Sequence, residues 1–200
     1  MTFDKTTPGL ALIDYDNLRG FRRKSLADFE LHATDLIDTL TRAFRSGFPG
    51  IRELDVRFYG GWTDEFGLPS RDHLWFLQTL PRLRGRRHGL IVRPALATAM
   101  LQFPEVILRG TVRVEASQPS HKRRLRQKMV DGMLGCDAMF AAAAGFARIG
   151  VITGDDDLVP ATLTAHTANP GLTVWMRPRR AGAGPNERGL IERGLRIRPI

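Results

Sequence analysis

Three short stretches concentrate oxygen-donor side chains: IDYDN at residues 13–17, KMVDGMLGCD at 128–137 and VITGDDDLVPA at 151–161. The first carries Asp14, Asp16 and Asn17, the second Asp131 and Asp137, the third Asp155, Asp156 and Asp157. Several carboxylates gathered in one place repel one another, and a cation, a proton or wide hydration must relieve that repulsion. Oxygen ligands without His or Cys beside them favour a hard divalent ion, Mg2+ or Mn2+. Each stretch also admits a plainer role: Asp155 or Asp156 capping the following helix, and Asp16 with Asn17 forming an Asx turn. A cap needs one carboxylate per helix, however, and not three. Asp131 and Asp137 stand six residues apart on one predicted helix, so their side chains diverge by roughly 120° and cannot both be ideal ligands of one ion. Asp131, near the helix start, is the stronger candidate. Asp137 is left with a supporting role beside the ion, a backbone contact or partial exposure.

The elements that must position these residues read as alternating strands and helices. GLALID (9–14) is a short apolar run ending in a carboxylate, as expected of a buried parallel strand. From Leu26 to Phe44 the apolar residues follow a helical period, with Ser25 and Asp28 as a capping pair and Gly47 and Pro49 as the stop. Residues 52–59 alternate as a second strand, a helix is expected from about 70 to 80, and a strand follows at 90–93, with Pro81 and Gly85 between them. Residues 105–115 suggest a bent strand or hairpin, 127–144 a helix, 149–153 a strand running into the three aspartates, then a helix to about His166 and a strand at 172–176. Beyond Arg177 the chain is rich in Arg, Gly and Pro, an extended tail with room for one docked strand near Leu195–Ile197. Strands separated by helix-length segments imply an α/β fold, a mostly parallel sheet flanked by helices on both faces. Ligands of such sheets sit beyond the carboxyl ends of the strands, the edge at which the acidic stretches fall.

Taken together and in this order, the three stretches resemble the NYN branch of the PIN-like metal-dependent nucleases. The resemblance spans residues 13–161 and implies a Rossmann-like, PIN-type three-layer sandwich. With the change of composition near Arg177, residues 1–176 are expected to form the nuclease domain and 177–200 a basic Arg-, Gly- and Pro-rich tail that can dock in part. The resemblance further implies a metal-dependent (endo)ribonuclease that hydrolyses RNA phosphodiester bonds with carboxylate-bound Mg2+ or Mn2+. Asp14 matches the family's first metal-site aspartate, Asn17 its accompanying asparagine, Asp131 its helix acid, and Asp155 and Asp157 the two acids of its Gly-Asp-Ser-Asp-Phe motif. Asp156 takes the variable serine position, and Lys128 and Asp137 match further positions of the helix. Two departures stand out: Asp16 replaces a small or variable residue, which adds it to the candidate ligands, and Leu158 replaces the usual aromatic.

The charge of the chain fits a polyanionic partner. The formal net charge is +9, from 30 Lys plus Arg of which only four are lysine. Segments 19–24, 82–87, 121–128 and 177–200 together carry +18 and leave the remainder at −9. Arg19, Arg22, Arg23 and Lys24 follow Asn17, and Arg123, Arg124, Arg126 and Lys128 precede Asp131. These are the expected RNA contacts, because guanidinium forks suit phosphate and an Arg-rich surface draws a polyanion. The tail admits nonspecific nucleic-acid contact, packing on a protein partner or a second copy, or neither. Trp62 and Phe66 lie in a Gly-flanked loop from which a ring could stack on bases. His73, His88, His121 and His166 show no metal-ligand spacing.

Two other readings compete. Asp14-Tyr15-Asp16 also resembles the nucleophile motif of haloacid-dehalogenase-like phosphatases, but Leu18, Val159 and Pro160 stand where that family needs Thr or Val and a further acid. The second is a nucleic-acid-binding module with a catalytically weak site. The single Cys136 excludes an intramolecular disulfide, MTFDKTTPG lacks the basic and apolar regions of a signal peptide, and no run approaches about 18 apolar residues. The expectation is a cytoplasmic protein with no membrane partner.

Overall fold

A computed structural model describes residues 8–18, 25–63, 68–106, 112–115, 124–127, 129–146, 148–170, 173–177 and 187–199. The fold is α/β. Strand β1 (Gly9–Asp14) is buried along its whole length, which explains its unbroken apolar run. Helix α1 (Leu26–Gly47) starts where the Ser25 hydroxyl accepts the Asp28 N–H, and it buries Phe29, Ala33, Ile37, Leu40 and Phe44 along one stripe. Strand β2 (Glu53–Tyr59) alternates buried and half-buried residues. Helix α2 (Arg71–Leu83) is capped by Ser70 and runs through Pro81 rather than stopping before it. The proline costs only the bond to the carbonyl of Leu77, an exposed position where water can replace it.

Strands β3 (Gly85–Arg87) and β4 (Leu90–Leu96) form a tight antiparallel hairpin through His88 and Gly89, both at positive φ. Strands β5 (Val112–Glu115) and β6 (Arg124–Gln127) pair antiparallel as a separate two-stranded sheet. Gln127, expected to open a helix, therefore closes a strand. Helix α3 (Val130–Ala143) begins three residues later, because the left-handed Met129 stops it from extending backwards. Strand β7 (Arg148–Ile152), a 3-10 turn (Asp156–Leu158), helix α4 (Val159–Ala168) and strand β8 (Thr173–Arg177) follow. A short helix α5 (Glu187–Glu192) then leads into strand β9 (Arg196–Pro199), which pairs parallel to β8.

The seven-stranded sheet has the order β3-β4-β2-β1-β7-β8-β9, with β3 alone antiparallel. One core layer packs α1 and α2 against Ile13, Val56, Phe58 and Met176; the other packs α3 and α4 against Leu12, Tyr59, Ile149 and Val151. This is a Rossmann-like three-layer sandwich. From β1 the chain builds outward through β2 and β4, then returns to the other side of β1 at β7, so the strand order reverses between β1 and β7. That reversal opens a crevice beyond the carboxyl ends of those two strands. No described helix is long and apolar enough to cross a membrane.

Candidate active site at the β1–β7 switch point

Asp14 is the last residue of β1 and is fully buried. Its Oδ2 accepts from the hydroxyl of Thr153, the residue after β7, and from Asn17 Nδ2 at 2.9 Å. The same Asn17 amide donates to Asp155 Oδ2 at 3.2 Å. Thr153 Oγ1 in turn accepts the Asp155 N–H at 2.8 Å. Asn17 and Thr153 thus join the ends of two neighbouring strands and hold Asp14 and Asp155 in one group. The other oxygen of Asp14, Oδ1, is buried and has no hydrogen-bond partner among the described residues. Burial pushes the Asp14 carboxyl above its ordinary range; the Thr153 and Asn17 donors oppose the shift and the charge of Asp155 adds to it.

The loop after β1 is anchored on two sides. Tyr15 stacks on Trp62 at 5.7 Å and donates its hydroxyl to Asp72 Oδ2 at 2.8 Å. Asp16 Oδ2 accepts the Gly61 N–H at 2.7 Å, so its carboxylate ties the β1 and β2 loops together instead of turning back on Asn17. Asp16 is exposed to solvent, yet the surrounding loops still raise its carboxyl to about 6. Burial is the main cause, the Gly61 N–H opposes it, and the charges of Asp14, Asp131 and Asp72 add to it. Asp131, exposed in the first turn of α3, therefore acts electrostatically on this loop.

Asp155 serves both roles that its position allows. Its Oδ1 caps the 3-10 turn by accepting the Asp157 N–H at 3.0 Å, while Oδ2 faces Asn17. Asp157 itself is exposed, and Asp156 pairs with Arg177 at 3.3 Å.

Asp137 belongs to the helix–sheet packing rather than to the Asp14 group. It is fully buried, its Oδ2 accepts from Tyr59 at 2.7 Å, its Oδ1 accepts the Leu101 N–H at 2.7 Å, and Arg57 stands 3.7 Å away. Of the roles open to it, the backbone contact is the one observed, and protein donors already occupy both oxygens. Burial raises its carboxyl, against the pull of Tyr59, Leu101 and Arg57.

Trp62 is a core residue: it is buried, donates Nε1 to Ala97 O at 3.2 Å and packs on Tyr15 and Phe76, so its ring has no face left for a base. Phe66 lies outside the described residues, as do Arg19, Arg22, Arg23, Lys24, Arg123 and Lys128. Arg124 and Arg126 fall in β6. His73 contacts Trp62 O at 3.0 Å and His166 is buried, both structural positions. Asp72 and Arg177 lie outside the three acidic stretches, and Thr153, inside the third, is an oxygen donor that a search for carboxylates passes over. Asp72 is visible in sequence only as an acid in the first turn after the Ser70 cap.

Among the described residues, no group of three or more His, Cys, Asp or Glu stands close enough to cage an ion by itself. The Asp14–Asp155 pair still suits a hard cation. All its donors are oxygen, and a buried carboxylate oxygen without a partner is a group that a cation would satisfy. Compared with models of known protein families and with characterised proteins, the chain matches none.

Proposed function

We propose that the protein is a metal-dependent ribonuclease that hydrolyses RNA phosphodiester bonds with Mg2+ or Mn2+ at the β1–β7 switch point. The observation that carries this reading is the Asp14–Asp155 pair, bridged by Asn17 and Thr153, with buried Asp14 Oδ1 left without a hydrogen-bond partner among the described residues. A divalent ion held there would supply Lewis-acid polarisation of the phosphate, a more acidic water and charge stabilisation of the leaving oxygen. Asp14 and Asp155 would hold it, with Asp131, Asp157 and Asp16 supplying further negative charge around it. Asn17 keeps the two carboxylates at a fixed spacing, and Thr153 fixes the orientation of Asp14. The Arg-rich segments on either side of these motifs in sequence supply the attraction that brings RNA to an acidic centre. A cytosolic RNA is the substrate class in keeping with the lone cysteine.

Purified protein is incubated with labelled single-stranded RNA, structured RNA and DNA in Mn2+, Mg2+ or EDTA, beside Asp155→Asn. Cleavage of RNA that needs the metal and disappears in the variant is the expected result. Equal cleavage by the variant assigns the activity to a contaminant. A second reading, a nucleic-acid-binding module without catalysis, draws support from the lack of a ready three-residue cage among the described residues. It is the outcome if RNA binds in a steeply salt-dependent way and no product forms.

A further inference from the structure

Arg177 ends β8 with its side chain only 8% exposed, close to the acidic turn. Its guanidinium binds two carboxylates from different elements: Glu187 at the start of α5, and Asp156 in the turn at 3.3 Å. Its face lies 5.2 Å from the centre of the Trp175 ring. Trp175 in turn donates Nε1 to the carbonyl of Thr153 at 3.3 Å. Thr153 also donates its backbone N–H to this strand, to Met176 O at 3.3 Å. Two routes therefore run from one buried cation to the candidate carboxylates. One passes through Asp156 to its neighbour Asp155, and the other through Trp175 and Thr153 to Asp14.

We infer that Arg177 is a positioning residue for the Asp14–Asp155 pair, and that the segment carrying α5 and β9 sets its placement through Glu187. The inference rests on the ribonuclease reading for its catalytic consequence, while the mechanical coupling stands apart from it. A nearly buried guanidinium is held in one orientation only while its carboxylates are present, because removing one leaves uncompensated charge in a poorly hydrated place. Neutralising Glu187 lets Arg177 swing toward Asp156 or solvent. The turn that carries Asp155 then loses its fixed support, although neither Arg177 nor Glu187 touches the Asp14–Asp155 pair.

The test compares Arg177→Met, Arg177→Lys, Glu187→Gln and a control, Arg188→Gln, which breaks the exposed Arg188–Glu192 pair of the same helix. Amide exchange is read at Asp155 and Asp157, whose N–H groups bond to Thr153 Oγ1 and Asp155 Oδ1. Arg177→Met and Glu187→Gln should speed exchange at these two amides by about tenfold or more while strands β1 and β2 keep their protection; Arg177→Lys should restore part of it and Arg188→Gln should leave it unchanged. On RNA, kcat in Mn2+ should fall by about tenfold with KM held. Unchanged exchange at Asp155 and Asp157 in Glu187→Gln, or acceleration spread evenly over the whole sheet, overturns the inference. If exchange responds as expected but the unaltered protein cuts no RNA, the coupling stands and the ribonuclease reading falls. Glu187→Gln keeps the test decisive if Arg177→Met does not fold.

Discussion

The carboxamide of Asn17 reaches the carboxylate of Asp155 at 3.2 Å across 138 residues of sequence. That single donor, shared with Asp14, offsets part of the repulsion between two acids that the sheet brings together. Asn17→Ala should leave the fold intact, since the residue is only half-buried. It should lower Mn2+ affinity and RNA cleavage together by about tenfold to a hundredfold, as loss of a group orienting metal ligands does elsewhere. Titration calorimetry beside a cleavage assay checks this; unchanged metal affinity would refute the bridging role.

Asp14→Asn separates stability from activity. Burial raises the Asp14 carboxyl in the folded state, so the charged form is the one that folding disfavours. An asparagine can offer its carbonyl oxygen to Thr153 and Asn17 without a buried charge. The variant should therefore be at least as resistant to urea as the unaltered chain at pH 7 in EDTA, yet inactive on RNA. A clear loss of stability would show that the ionised carboxylate holds the crevice together.

The Asp16 carboxyl is raised to about 6, above the ordinary carboxylate value of about 4. An acid raised on folding binds more protons folded than unfolded between those two values, so its contribution to stability declines as pH rises from about 4 to about 6. Comparing urea midpoints of the unaltered protein and Asp16→Asn across that window in EDTA isolates the effect. The difference between the two should grow in favour of the variant as pH rises, modestly, because Asp16 is exposed and solvent screens it. A constant difference across the window would contradict it.

Asp137→Ala should be the most destabilising of these changes. It strips the Tyr59 hydroxyl and the Leu101 N–H of their acceptor and leaves Arg57 without its counter-charge. A loss of about 3 to 5 kcal/mol is expected from breaking a buried charged group out of its network. Asp137→Asn retains one acceptor and should lose less. Equilibrium unfolding measures both, and equal losses would mean that the charge, not the hydrogen bonding, is what matters.

The elements most readable in the sequence are those whose burial is uniform along their length. GLALID became β1 because both its faces are covered, and the Leu26–Phe44 stripe became α1 because one face is. The β3–β4 hairpin was less visible, since its turn uses His88 where Asn or Gly is the usual signal for positive φ. Helix α2 passed a proline that local rules treat as a stop. At the site, Asp14, Asn17 and Asp155 could be picked out as polar groups at strand ends. Thr153 could not, because its function depends on β7 lying beside β1, a pairing between residues 139 apart. Asp137 was ambiguous for the same reason: helical rotation separates it from Asp131 but does not say that Tyr59 and Leu101 wait on its side.

The pairing of β1 with β7 also bears on how the chain becomes active. Ile13 aligns with Ile152, so the crevice closes only when segments far apart in sequence meet. Parallel pairings over such separations form slowly, after local helices and hairpins. A nascent chain that has emerged only as far as α3 holds Asp14, Asn17 and Asp131 but neither Thr153 nor Asp155, and so lacks half of the carboxylate pair. Under the proposed function, the protein would be inert toward the messenger being translated until the segment carrying β7 and Asp155 had been made.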